Sequence, residues 1–124
     1  MIKQRPKNLN LLTIRLPIPA IISILHRISG FILFLLIPLM LWALDLSLSS
    51  PDDFDNLHLF LSSPLMKFLI WGFLSAFIYH FFAGIRHLLM DVHLGDELKS
   101  GRFSAKLTLV ISVVFIILAG IWLW

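Results

Sequence analysis

A histidine inside an apolar helix is costly unless something engages it, and the stretch Tyr79–Asp91, YHFFAGIRHLLMD, contains two. His80 closes an apolar run reaching back to Phe68, broken only by the hydroxyls of Ser75 and Tyr79. His87 follows seven residues later, two turns along the same helical face. At about 100° per residue, Ala76, His80, Ala83, Gly84 and His87 share an arc of roughly 100°, with Gly72 at its margin. Phe77, Ile78, Phe81 and Phe82 point elsewhere. The imidazoles therefore share their face with the smallest residues, which lets a second helix or a flat cofactor approach the backbone. Earlier in the chain, Ser23, His26, Arg27, Gly30 and Phe34 share a similar arc. That is a hydroxyl, an imidazole and a guanidinium followed by a glycine.

Taken singly, each feature has a plain explanation. Small faces pack helices, a buried histidine bonds a neighbouring helix, and arginines near helix ends snorkel to headgroups. The conjunction of two such faces at one depth, beside Arg27 and Arg86, points to more. An imidazole can ligate haem iron, and cations or N–H donors can hold its propionates. A hydroxyl or guanidinium at the apolar–polar boundary can bond a quinone carbonyl.

The elements that must position these groups are membrane helices. Of the 124 residues, 59% are hydrophobic and 14% charged, against about 25% charged in a soluble domain. The mean hydropathy is +0.94. There is no cysteine, which excludes disulfides, thiolate-held zinc and cysteine-ligated iron–sulfur clusters from this chain. An all-α fold in a single membrane-anchor domain over residues 1–124 is expected, with spans at about 18–46, 65–90 and 105–124. The first apolar run starts late and no small-residue cleavage site follows it, so it reads as a retained span rather than a signal peptide. Pro38 is expected to bend it. Residues 47–64, with Asp52, Asp53, Asp55 and Pro51, read as a loop with a short interfacial turn at Leu57–Leu61. Residues 91–104 read as a second, polar loop.

The net charge of +3 is a matter of topology rather than of nucleic acid. Lys3, Arg5, Lys7, Arg15, Arg27, Arg86, Lys99, Arg102 and Lys106 all fall on the side of the N-terminus and second loop, and Lys67 alone lies beside the first loop. The positive-inside rule makes the first side cytoplasmic, or its mitochondrial equivalent. His80 then lies about 9 Å from the inner boundary marked by Arg86. On this spacing, no other histidine of a second span lies as deep. Trp122 and Trp124 fall at the outer interface, where indoles are favoured.

With these residues in view, the chain resembles the cytochrome b subunit of succinate dehydrogenase, the larger of two small membrane anchors in the bacterial four-subunit complex. The resemblance runs nearly end to end. Arg5-Pro6 with Asn8-Leu9 matches the family's opening. Ser23-Ile24-Leu25-His26-Arg27-Ile28-Ser29-Gly30 matches its S-x-x-H-R-x-[ST]-G motif. His80-Phe81-Phe82-Ala83-Gly84-Ile85-Arg86-His87, continuing to Met90-Asp91, matches H-x-x-x-G-x-R-H followed by M-D. Lys7 departs from a position usually apolar, and His93 from one where a small residue is common.

The resemblance implies a role for each residue. His80 would be an axial ligand of a haem b whose second ligand comes from the partner anchor. Ser23 and Arg27 would line the ubiquinone site. His26, Arg27 and His87 would lie near the haem propionates, and Arg86, whose helical angle points away from His80, is a weaker candidate. The implied partners are a second small anchor, an iron–sulfur subunit, a flavoprotein subunit, ubiquinone and lipid, with no nucleic acid. The basic segment around Lys3, Arg5 and Lys7 would meet the iron–sulfur subunit. The chain would not be catalytic alone, since it has neither a flavin motif nor cluster cysteines. The start at Met1, with no transit-peptide pattern, favours a bacterial inner membrane. A structural anchor without cofactors would need no His80. A transporter path should cross the membrane, but the outer halves of the spans offer almost no polar groups.

Overall fold

The computed structural model describes Asn10, residues 12–95 and residues 97–124. Lys3, Arg5, Lys7 and the opening motif lie outside the described residues. The elements are α1 (Ile18–Ser49), α2 (Pro51–Leu61), α3 (Pro64–Asp91) and α4 (Leu98–Leu123), with no strand among the described residues. Helices α1, α3 and α4, of 32, 28 and 26 residues, are long and apolar enough to cross a membrane. Each contains its expected span and runs past it, except that Trp124 follows the last helical residue.

Proline sets where the helices begin. Pro17 is the N-cap of α1 and Pro19 sits in its first turn, where a missing N–H costs nothing. The helix then continues through Pro38 to Ser49. Ser63 and Pro64 open α3 in the same way. Helix α4 begins at Leu98, so the second loop is shorter than its polar composition suggests. The chain turns there with His93 at φ 62° and Gly95 at φ 82°. The left-handed backbone at His93 is one that L residues adopt only at isolated turn positions.

Residues 47–64 are not a loop. They end α1 and then form α2, an 11-residue helix. The physical reason is a capping signature within S-P-D-D. The Ser50 hydroxyl accepts the backbone N–H of Asp53 at 3.1 Å and donates to the Asp53 carboxylate at 2.8 Å. Pro51 occupies the first position, and Asp52 and Asp53 complement the positive end of the helix dipole. Leu57 is buried beneath the helix, which lies chiefly against α1.

Helix α3 packs between α1 and α4. Their common core is Ile22, Ala83 and Ala105, all fully buried, with Ile18, Tyr79 and Leu109 against it. Helix α4 contributes its small and hydroxylated face: Gly101, Ala105, Thr108 and Ser112 are its buried residues. Large side chains such as Phe31, Phe34, Leu39 and Phe77 point outward, as suits helices solvated by lipid.

Polar links fix the helices where packing alone would let them slide. The Tyr79 hydroxyl donates to the Ile22 carbonyl at 2.8 Å, joining α3 to α1. Arg86 is only 4% exposed; it donates to Ser104 Oγ at 3.1 Å and to the Gly101 carbonyl at 3.2 Å, joining α3 to the start of α4. At the other end, Trp71 donates its indole N–H to the Ile116 carbonyl at 2.9 Å. The indole fits because residue 120 is glycine, where a Cβ would stand 3.0 Å from Trp71 Nε1.

Gly120→Val is therefore expected to displace Trp71 and cost about 1–3 kcal/mol, as overpacking does. Thermal unfolding of the detergent-purified complex measures this. In a Trp71→Leu background the same change should cost much less, because the clashing ring is gone.

Candidate functional site

The N-terminal half of α1 and the C-terminal half of α3 bring His26, His80 and His87 into one cluster. The His26 and His80 rings stack, with centroids 4.1 Å apart and planes 10° from parallel. His87 lies on the other side of His26, its centroid 5.0 Å away and its plane tilted by 51°. Sequence spacing put no second-span histidine as deep as His80. In the structure His26 of α1 lies between His80 and His87 and faces Gly84, one turn along α3 from His80. Its ring reaches across the interface rather than out toward the helix end.

His80 and His26 are each seated on a glycine of the facing helix. A Cβ at Gly30 of α1 would stand 2.9 Å from His80 Cε1, inside van der Waals contact. A Cβ at Gly84 of α3 would stand 3.4 Å from His26 Nε2. Each helix thus supplies one ring and one notch. The helical arcs placed histidine beside small residues, and the fold uses those small residues to receive the partner helix's histidine.

Hydrogen bonding decides which His80 nitrogen carries the proton. Nδ1 lies 3.1 Å from the main-chain carbonyl of His26 and 3.1 Å from Ser29 Oγ. A carbonyl only accepts. The Ser29 hydroxyl proton is already given to the same His26 carbonyl at 2.8 Å, so Ser29 offers a lone pair. Both groups facing Nδ1 are acceptors, and Nδ1 therefore bears the hydrogen. Nε2 is left with its lone pair, the state in which imidazole binds a metal. Ser29 is 5% exposed, and its part in the site was not evident from the motif that contains it. A small hydroxyl one residue before a glycine was the available signal.

His26 differs from His80. Its Nε2 is buried and has no hydrogen-bond partner among the described residues. A buried imidazole nitrogen left this way is costly. The two stacked rings cannot serve opposite sides of one iron, because 4.1 Å between centroids leaves no room for a macrocycle between them.

Ser23 and Arg27 sit four residues apart on one flank of α1 beside this cluster. Ser23 is half-buried and Arg27 exposed. Neither has a hydrogen-bond partner among the described residues, so a hydroxyl and a guanidinium remain available on neighbouring turns. Arg86 is committed to Ser104 and Gly101 of α4, on another side of α3. Among the described residues no group of three or more His, Cys, Asp or Glu side chains is arranged to enclose a metal ion.

Comparison with known proteins matches the sequence to a family. Residues 1–119 match the family model described as succinate dehydrogenase/fumarate reductase transmembrane subunit. The chain belongs to this family. It is 46% identical to the succinate dehydrogenase cytochrome b556 subunit of Coxiella burnetii over 122 residues, covering 98% of each chain. It is 35% identical to the protein of the same name from Paracoccus denitrificans, covering 92% of this chain and 88% of that one. A cytochrome b560 subunit of Reclinomonas americana is 33% identical, covering 94% and 85%. The chain is thus a multi-pass membrane subunit of the succinate dehydrogenase cytochrome b type.

The two glycine notches differ in depth, and substitutions should reveal it. Gly30→Ala meets His80 at 2.9 Å, and is expected to destabilise the α1–α3 pair by about 1–3 kcal/mol. Gly84→Ala, with ordinary contact at 3.4 Å, should be tolerated within about 1 kcal/mol. Parallel thermal denaturation of the two variant complexes checks the order.

Proposed function

We propose that the chain is a membrane anchor of a succinate:ubiquinone oxidoreductase in a bacterial inner membrane, with its N-terminus cytoplasmic. It bundles with a second small anchor and docks the iron–sulfur and flavoprotein subunits on the inner face. It holds a haem b through His80, shares that haem with the partner anchor, and binds ubiquinone at Ser23 and Arg27. It is not catalytic alone.

The observation that carries this reading is the state of His80. Its Nδ1 proton is given to two acceptors and its Nε2 is bare. The residues present fit a haem on further grounds. Arg27, exposed beside the cluster, offers donors and positive charge to a propionate, and His87 adds a further donor. Family membership and the word cytochrome in the relatives' names support the same cofactor. When bound, a haem supplies a one-electron carrier whose potential follows its ligands and surroundings.

The chain's own work follows from its chemistry. Ser23 and Arg27 orient the ring by bonding its oxygens, and the Arg27 charge stabilises negative charge developing there on reduction. The apolar flank around them suits an isoprenoid tail. The small side chains of the α1–α3 interface hold the imidazoles in register. The outward basic residues Arg15, Arg102 and Lys106 keep this end of the bundle at the cytoplasmic surface.

Two measurements test the proposal. In a reduced-minus-oxidised spectrum of the purified complex, His80→Ala should shift or remove the b-type band. An unchanged band would place the iron ligand elsewhere. Arg27→Leu should lower ubiquinone reduction about tenfold to a hundredfold, the worth of a charged hydrogen bond, and leave succinate oxidation by a soluble dye intact. Equal loss of both activities would show that Arg27 supports assembly rather than quinone binding.

A further inference from the structure

The strongest unassigned group near the cluster is Ser29. Its hydroxyl is buried, and its hydrogen bonds are directed rather than incidental. The proton goes to the His26 carbonyl at 2.8 Å, and this orients the oxygen lone pair toward His80 Nδ1 at 3.1 Å. We infer that Ser29 is a positioning residue for the iron ligand, accepting the His80 Nδ1 proton together with the His26 carbonyl and so setting how strongly Nε2 donates to iron. The inference rests on His80 being that ligand.

The physical basis is the link between an imidazole's remote hydrogen bond and its basicity. A ring whose N–H is given to good acceptors holds more electron density at its other nitrogen, and such outer partners fix both tautomer and ring orientation. A stronger donor favours ferric over ferrous iron and lowers the potential. Geometry sharpens the assignment. Gly30 seats the ring edge at Cε1, and the stacked His26 ring covers one face. These contacts restrict the ring's position, and Ser29 with the His26 carbonyl selects its rotation and protonation. Two acceptors on one N–H make a cradle that a single carbonyl would not.

Wild type, Ser29→Ala, Ser29→Thr, Ser29→Val and His80→Ala complexes are purified, and the haem midpoint potential is titrated spectroscopically in each. Thr keeps the hydroxyl, and Val matches its shape without it. Ala and Val are expected to retain the b-type band but raise the potential, with a severalfold lower ferric-to-ferrous ratio at a fixed potential; a tenfold change corresponds to about 59 mV for one electron. Thr is expected to stay near wild type. Unchanged potentials in Ala and Val, or equal shifts in Thr and Val, would overturn the role of Ser29 while leaving His80 as ligand. If Val does not assemble, the Ala–Thr contrast decides. A band unaffected in His80→Ala would overturn the ligand assignment itself, and with it this inference.

Discussion

The reciprocal seating of two histidines on two glycines is the contact on which the rest of the chain depends. His80 of α3 occupies the space over Gly30, and His26 of α1 lies against Gly84. In lipid there is no hydrophobic gain from pressing two apolar helices together. Close approach must come from shape and from polar groups that find each other. The stacked rings, the Ser29 and His26 carbonyl bonds to His80, and the Tyr79 bond to Ile22 all cross the same interface. They fix helix separation, register and rotation together. A side chain larger than hydrogen at Gly30 would disturb all three.

The second interface uses other means. Arg86 and Trp71 are near opposite ends of α3, and each donates to a main-chain carbonyl of α4. Between them the buried Ala105, Thr108 and Ser112 bring the helices close. The two ends are thus tied by long side chains and the middle by the lack of them. Helix α3 is the central element, with polar chemistry toward α1 and mechanical attachment toward α4.

Much of this was legible in the chain. Long apolar runs marked the membrane helices because lipid imposes a single requirement on twenty residues at once. The shared arcs of His80, Gly84 and His87, and of His26 and Gly30, foretold the faces, since helical periodicity is geometric. What escaped depended on contacts between elements. The stacking of His26 on His80 depends on which way its ring reaches, and spacing along one helix does not contain that. The role of Ser29 appears only when His80 is set opposite it. Arg86 was known to point away from His80, but its acceptors on α4 lie fifteen and eighteen residues on. Helix α2 is a different case. Its Ser50-Pro51-Asp52-Asp53 cap was written in the sequence, and three aspartates in a short connection outweighed it.

Helix length has one further consequence. At 1.5 Å per residue, α1 measures about 48 Å, α3 about 42 Å and α4 about 39 Å, whereas the hydrocarbon layer is about 30 Å thick. All three overshoot, and α1 by the most. Tilt absorbs part of such an excess, and the rest stands in the headgroup region. One end of α1 lies at Asp45 and Ser49, where the chain doubles back into α2. That short helix therefore rides above the oily layer as a plinth, its aspartates in water and Leu57 tucked beneath. The thickness of the host bilayer thus acts on the tilt of α1, and through it on the angle at which the two histidine-bearing helices cross.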